Sequence, residues 1–253
     1  MENITLFWFR RDLRLEDNTG LAAACREKKN VLPLFIFDRH ILDELEDRSD
    51  ARVQFIHEQV AALREAFQAK GSSMEVHYGL PEKIFPELLK RYRVEAVFTN
   101  RDYEPYARSR DAQIEELLEE ADIPFRTFKD QVILEEGEVL NGSGEFYKVF
   151  TPYSKAWRAK FKELSLEEQK LDEKAFFQTE PLPFPSLEDM NFTRSSIQIP
   201  PMDLNETIVK KNTTSCVISP HGRAPHGSES TCASGRCPSA SWQKKHRNLM
   251  TPT

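Results

Sequence analysis

Apolar residues in this chain recur in short runs that alternate with longer stretches of helical spacing. Five runs have the length and the β-branched or aromatic make-up of strands: Ile4 to Phe9, Val31 to Phe37, Met74 to Tyr78, Val94 to Thr99 and Phe125 to Phe128. Between them, apolar residues fall three and four apart. Arg52 to Lys70 puts Val53, Ile56, Val60, Leu63 and Phe67 on one face and stops at Gly71, where a glycine can end a helix. Pro81 to Arg91 and Ser109 to Ala121 repeat the pattern. Such alternation predicts βαβ units, because parallel neighbours need a crossover between them. The expected fold class is α/β: an open, doubly wound, five-stranded parallel sheet (Rossmann-like) with helices on both faces, over about residues 3–130.

From Gln131 the alternation fails. Glu135 to Tyr147 contains Asn-Gly-Ser-Gly and reads as a hairpin or irregular loop. Phe150-Thr-Pro-Tyr-Ser-Lys-Ala-Trp157 reads as a proline-started helix, and a charged, proline-punctuated connector follows through Pro201. A structureless stretch of that length is unusual inside one compact domain, so it is expected to be a linker leading elsewhere. The division expected is 1–131 for the α/β domain, 132–211 for linker and the start of a helical region, and 212–253 for a disordered tail.

Composition sets the tail apart. All 17 Phe and 40 of the 41 acidic residues precede Asn212, Glu229 being the exception. The first 211 residues carry 30 Lys+Arg against 40 Asp+Glu, so bulk charge does not point to a nucleic-acid surface, although it leaves room for a local basic patch. Cys216, Cys232 and Cys237 lie in the tail and Cys25 alone in the body, a pattern of a reducing compartment. No run reaches membrane-spanning length and no secretory leader opens the chain, so a cytoplasmic protein is expected. Walker, Gly-x-Gly-x-x-Gly, Gly-x-Ser-x-Gly and His-Glu-x-x-His sequences are all missing, and no nucleophile and base pair suggests itself.

Doubly wound sheets bind ligands beyond the carboxyl ends of their strands. Those ends deliver Arg10 and Arg11 after the first strand, Phe37 and Asp38 after the second, and Asn100, Asp102 and Glu104 after the fourth, with Arg52 at a helix start. These residues are the candidate crevice. Asp38 and Glu104 read equally as helix caps or surface ion pairs, and Phe37 as core.

The wording around these positions is more specific. Phe7-Trp-Phe-Arg-Arg-Asp-Leu-Arg-Leu-Glu-Asp-Asn18 closely resembles the amino-terminal signature of the DNA photolyase and cryptochrome family. Val31-Leu-Pro-Leu-Phe-Ile-Phe-Asp38, Thr99-Asn-Arg-Asp-Tyr-Glu-Pro-Tyr106 with Arg110-Asp111, Tyr147-Lys-Val-Phe-Thr-Pro-Tyr153 and Lys155-Ala-Trp157 are similar to the family in the same order. The resemblance implies an amino-terminal antenna domain that holds a light-harvesting chromophore, namely methenyltetrahydrofolate, a deazaflavin or a flavin. On that reading Phe37 is a flat wall, Asp38, Asn100, Asp102 and Glu104 fix the ring's edges, and Arg52 meets an anionic group. The resemblance further implies a helical domain that binds FAD and splits pyrimidine dimers in damaged DNA, or, in a cryptochrome, signals to a partner. An independent nucleotide-binding module is the third reading.

That helical domain is not in this sequence, and the tail suggests why. Codons for Pro225 to Gly235, read one base earlier, can spell Thr-Ser-Arg-Leu-Gly-Ile-His-Leu-Arg-Phe-Gly, which resembles the family's FAD-binding segment. A frameshift near Lys211 accounts for this; a genuine disordered tail rich in Ser, Thr and Pro is the other reading. The fragment is therefore expected to be catalytically inactive, without FAD, weak in nucleic-acid binding, and monomeric with a tendency to aggregate through Phe150, Tyr153 and Trp157.

Overall fold

The strands of the protein pack in a sheet whose order explains where a ligand could enter. In the computed structural model, which describes residues 2–165 and 167–197, β1 (Asn3–Phe9), β2 (Val31–Asp38), β3 (Glu75–Gly79), β4 (Arg93–Asn100) and β5 (Phe125–Phe128) form one sheet in the order β3-β2-β1-β4-β5. Every pairing is parallel. The crossovers carry α1 (Thr19–Glu27), α2 (Arg39–Leu42), α3 (Ala51–Gln68), α4 (Pro81–Arg91) and α5 (Pro105–Glu119). Strand side chains alternate between faces, and here both faces are apolar. Phe7 and Phe9 of β1 and Phe35 and Phe37 of β2 pack with α1 and α3, while Leu6, Trp8, Leu34 and Ile36 pack with α4 and α5. The doubly wound expectation holds. No helix among the described residues is long and apolar enough to cross a membrane.

Two details depart from the sequence pattern. Ile56 is 37% exposed, so the buried stripe of α3 is Val53, Val60, Leu63 and Phe67. Helix α1 was not anticipated, because Gly20 to Cys25 are all buried and leave no polar face to reveal a period. The α3 stop is as expected: Gly71 has φ +76° and Ser72 N donates to Phe67 O.

Of the described residues, those up to Glu135 and from Gln169 onward form one compact unit, and Glu136–Glu168 belong to another. Residues 169–197, read from sequence as a connector leading away, thus return to the sheet unit. Phe177 N donates to Val31 O, Thr179 N to Gly71 O and Leu182 N to Ser73 Oγ. The segment then runs along α3, with Arg64 donating to Leu182 O and His57 to Pro185 O. Phe176, Met190 and Phe192 are buried against the α3 side of the core. Burying a side chain of this size is worth roughly 1.5–3 kcal/mol, which is why an aperiodic, proline-rich segment holds its place.

In the second unit the Asn-Gly-Ser-Gly stretch is an irregular turn and not a hairpin. The Asn141 side chain accepts from Ser143 N and Glu145 N, and Gly144 has φ +77°. Helix α6 (Phe150–Glu163) follows, and none of its residues is buried. The expected disorder of 212–253 lies outside the described residues, as do Cys216, Cys232 and Cys237.

Candidate functional site

The strand order reverses direction between β1 and β4, so the switch-point crevice lies beyond their carboxyl ends. The chain fills it with its own groups. Helix α1 begins there, and its first amides are all matched: Thr19 N donates to Asp130 Oδ1 (3.0 Å), Gly20 N to Asn100 Oδ1 (2.8 Å), Leu21 N to Asn18 Oδ1 (3.1 Å) and Ala22 N to Asn18 O (3.0 Å). The Asn100 amide also donates to Asp12 Oδ2 and Asn18 Oδ1, which uses both of its hydrogens. A Cβ at Gly20 would lie 2.6 Å from Asn100 Oδ1 and 2.9 Å from Phe7, so only glycine allows this approach. A dinucleotide-binding domain leaves the amides at this helix start for a pyrophosphate. Here the Asp130 carboxylate, itself paired with Arg14 at 2.5 Å, occupies that role. The geometry disfavours the independent nucleotide-binding module.

The arginines of the opening loop reach far along the chain. Arg10 Nη1 donates to both Asp111 oxygens at 2.5 Å, and its other terminal nitrogen donates to Asn100 O. The Trp8 ring has the Arg10 guanidinium 5.2 Å and the Arg110 guanidinium 4.9 Å from its centroid. Arg11 pairs instead with Asp102 (3.1 Å) and lies 3.9 Å from Glu104.

A second polar cluster occupies the end of β2. Asp38 is buried; its Oδ1 caps α2 by accepting from His40 N (3.0 Å), and its Oδ2 accepts from the Tyr106 hydroxyl (2.6 Å), with Arg110 Nη1 at 3.8 Å. Burial first, and then the Asp38 carboxylate, push the Tyr106 phenol well above its ordinary pKa. Tyr106 is 37% exposed, and the His40 ring, paired with Glu82 at 3.0 Å, lies edge-on to it at 6.0 Å.

The sequence-derived residues therefore separate. Asp38 joins Tyr106 and Arg110. Asn100 belongs to the α1 start. Asp102 and Glu104 share Arg11, Glu104 being largely exposed at the start of α5. Arg52 is exposed at the first turn of α3 and pairs with Asp50 at 2.6 Å. Phe37 is buried, edge-on to Phe35 at 4.9 Å and tilted against His57 at 5.9 Å. Sequence reasoning had not singled out Tyr106, Arg110 or Asp130 as members of these clusters. Asp130 follows the end of β5, and the same strand-end logic could have found it. No group of three or more potential metal ligands occurs among the described residues.

A family model described as DNA photolyase matches residues 5–175. The chain is 39% identical over 154 residues to the deoxyribodipyrimidine photo-lyase of Synechococcus sp. (strain ATCC 27144), an overlap of 61% of this chain and 32% of that protein. It is 31% identical over 208 residues to the Halobacterium salinarum protein of the same name, covering 77% of this chain and 42% of the relative. The chain thus spans about a third to two-fifths of these relatives' length. An archaeal photolyase from Sulfolobus tokodaii, solved with two FAD molecules, superposes with a TM-score of 0.59 at 27% identity, covering 78% of this chain and 43% of that one.

Proposed function

The chain belongs to the DNA photolyase family, and we propose that it is the amino-terminal, antenna-bearing part of a deoxyribodipyrimidine photolyase. On this reading residues 1–131 are the antenna domain, 132–211 are the linker toward a flavin domain with 169–197 packed back on the sheet unit, and 212–253 are translated out of frame. The flavin domain of the intact protein would bind damaged DNA and carry the light-driven splitting of pyrimidine dimers from reduced FAD. Residues 1–253 alone would hold no FAD and carry no repair activity, and the aromatic face of α6 would be the surface a flavin domain covers.

The observation that carries the antenna site is the cluster at the end of β2. Asp38 is buried and doubly hydrogen-bonded, and Tyr106 beside it keeps an open ring. These residues fit a flat chromophore with polar edges better than the β1–β4 crevice does, since Tyr106 and Glu104 are exposed whereas the amides at the start of α1 are matched and closed in. Tyr106, its hydroxyl fixed by Asp38, offers the wall that Phe37, tilted against His57, does not; exposed Glu104 offers an acceptor, and Arg52 a cation once it leaves Asp50. A methenyltetrahydrofolate, deazaflavin or flavin held there supplies light absorption.

Fluorescence titration of the three chromophores into wild type, Glu104→Ala and Tyr106→Phe tests this. One chromophore is expected to bind, about tenfold more weakly in Tyr106→Phe, where Asp38 loses a donor. Equal binding by all three proteins, or none by any, would remove the site. Sequencing the gene across the Lys211 codon tests the tail separately; an unbroken frame there would overturn that part of the reading.

A further inference from the structure

Helix α6 and the residues just before it carry Lys148, Lys155, Arg158, Lys160 and Lys162, against Glu145 and Glu163. Lys160 donates to Glu138 O. Lys155, Arg158 and Lys162 are exposed and make no ion pair among the described residues. Steps of three and four residues align them in one row, about 10 Å long at 1.5 Å per residue. Phe150, Tyr153, Trp157 and Phe161 form a second row by the same spacing, about a third of a turn away. A domain covering the aromatic row would leave the cation row facing outward.

We propose that the row Lys155, Arg158 and Lys162 is a nucleic-acid contact that takes the phosphates of a DNA strand. Charge complementarity is the first argument. The chain as a whole has a net charge of −6, so three unmatched cations in one row are a local reversal of sign that favours a polyanion. Regular spacing is the second: three cations on successive turns suit the evenly spaced phosphates of a nucleic-acid strand better than an acidic protein surface. DNA as the polyanion rests on the photolyase reading, but the row can fail while chromophore binding stands, and the reverse.

Anisotropy of a labelled single-stranded oligonucleotide with the full chain, between 50 and 200 mM salt, tests the row. Residues from Asn212 carry five Lys+Arg and one Glu, so the readout is the difference between wild type and variant. Three phosphate contacts contribute about −2 to the log–log salt slope, or about a 16-fold loss of affinity over that range. K155Q/R158Q/K162Q is expected to remove that increment and to weaken binding at least tenfold at 50 mM salt. K155R/K162R, which keeps the charge, and K83Q/K90Q on α4 should bind as wild type does. A triple variant that binds like wild type, an equal loss in K83Q/K90Q, or loss in the charge-keeping variant would overturn the proposal. So would anionic lipid vesicles or polyglutamate displacing the oligonucleotide at lower concentration than unlabelled DNA.

Discussion

The guanidinium groups of the sheet unit and the cations of α6 look alike in sequence and are opposites in structure. Arg10, Arg11, Arg14, Arg91, Arg101 and Arg126 each meet a carboxylate, and for Arg10 and Arg14 that carboxylate lies more than a hundred residues along the chain. Lys155, Arg158 and Lys162 meet none among the described residues. A density of charge at a strand end therefore does not announce a binding site. In this fold it locks loops to helices, whereas the unmatched cations lie on the helix that precedes the connector.

The sharpest way to break that contrast is to remove a locking arginine. Arg10→Met deletes two hydrogen bonds to Asp111 and one to the Asn100 carbonyl, and leaves a mostly buried carboxylate with Arg110 as its remaining cation. A loss of about 2–4 kcal/mol is expected, read from the urea midpoint at constant slope. Stability within error of wild type would mean that the pair is ornamental. Asn100→Ala should come next, at about 1–3 kcal/mol, because it strands Gly20 N at the start of α1 and removes a donor from Asp12.

These two residues also show what the sequence could and could not say. The strands and the α3, α4 and α5 helices were legible because burial on one or both faces imposes a period on the apolar residues. Arg10 and Asn100 were correctly placed at strand ends, but their partners Asp111, Asn18 and Asp12 are chosen by tertiary approach, which leaves no periodic trace. The same holds for residues 169–197. Phe176 and Phe192 fill the core without helical or strand spacing, so their aromatic density was the only available signal and it went unused. Tyr106 was visible only as part of a family-like phrase, since nothing local indicates that its hydroxyl reaches Asp38.

Cys25 extends the comparison to a neutral group of the sheet unit. Burial, and secondarily the charge of Asp172, push its thiol from 9.0 up to about 12. The folded state therefore keeps a proton that the unfolded chain releases, and this contribution to stability is full below about pH 9 and is lost as pH rises toward 12. The stability gap between wild type and Cys25→Ala should shrink between pH 8 and pH 10. Mass spectrometry after a brief thiol-reagent pulse at pH 8 should find Cys25 unmodified. A gap that widens with pH, or modification of folded protein, would show an open site where the structure has a closed one.

The smallest expected effect decides whether pairing or burial makes an arginine structural. Arg52 has a partner about as close as that of Arg10, Asp50 at 2.6 Å, yet its side chain is 77% exposed, and the cations of α6 are exposed as well. Water screens such a pair and both side chains lose freedom in making it, so its net contribution is small even though the Asp50 carboxyl is held below its usual range by the Arg52 hydrogen bond. Asp50 also keeps its backbone cap on Arg52 N whatever side chain follows, so Arg52→Gln removes the charge and leaves the start of α3 intact. The urea midpoint of Arg52→Gln should match wild type, as should that of K155Q/R158Q/K162Q. If Arg52→Gln instead falls toward Arg10→Met, pairing alone fixes structure, and the cations of α6 are set apart by lacking partners. If both exposed variants hold, burial is the criterion, and Arg52, free of structural duty, stays available to the anionic edge of a chromophore.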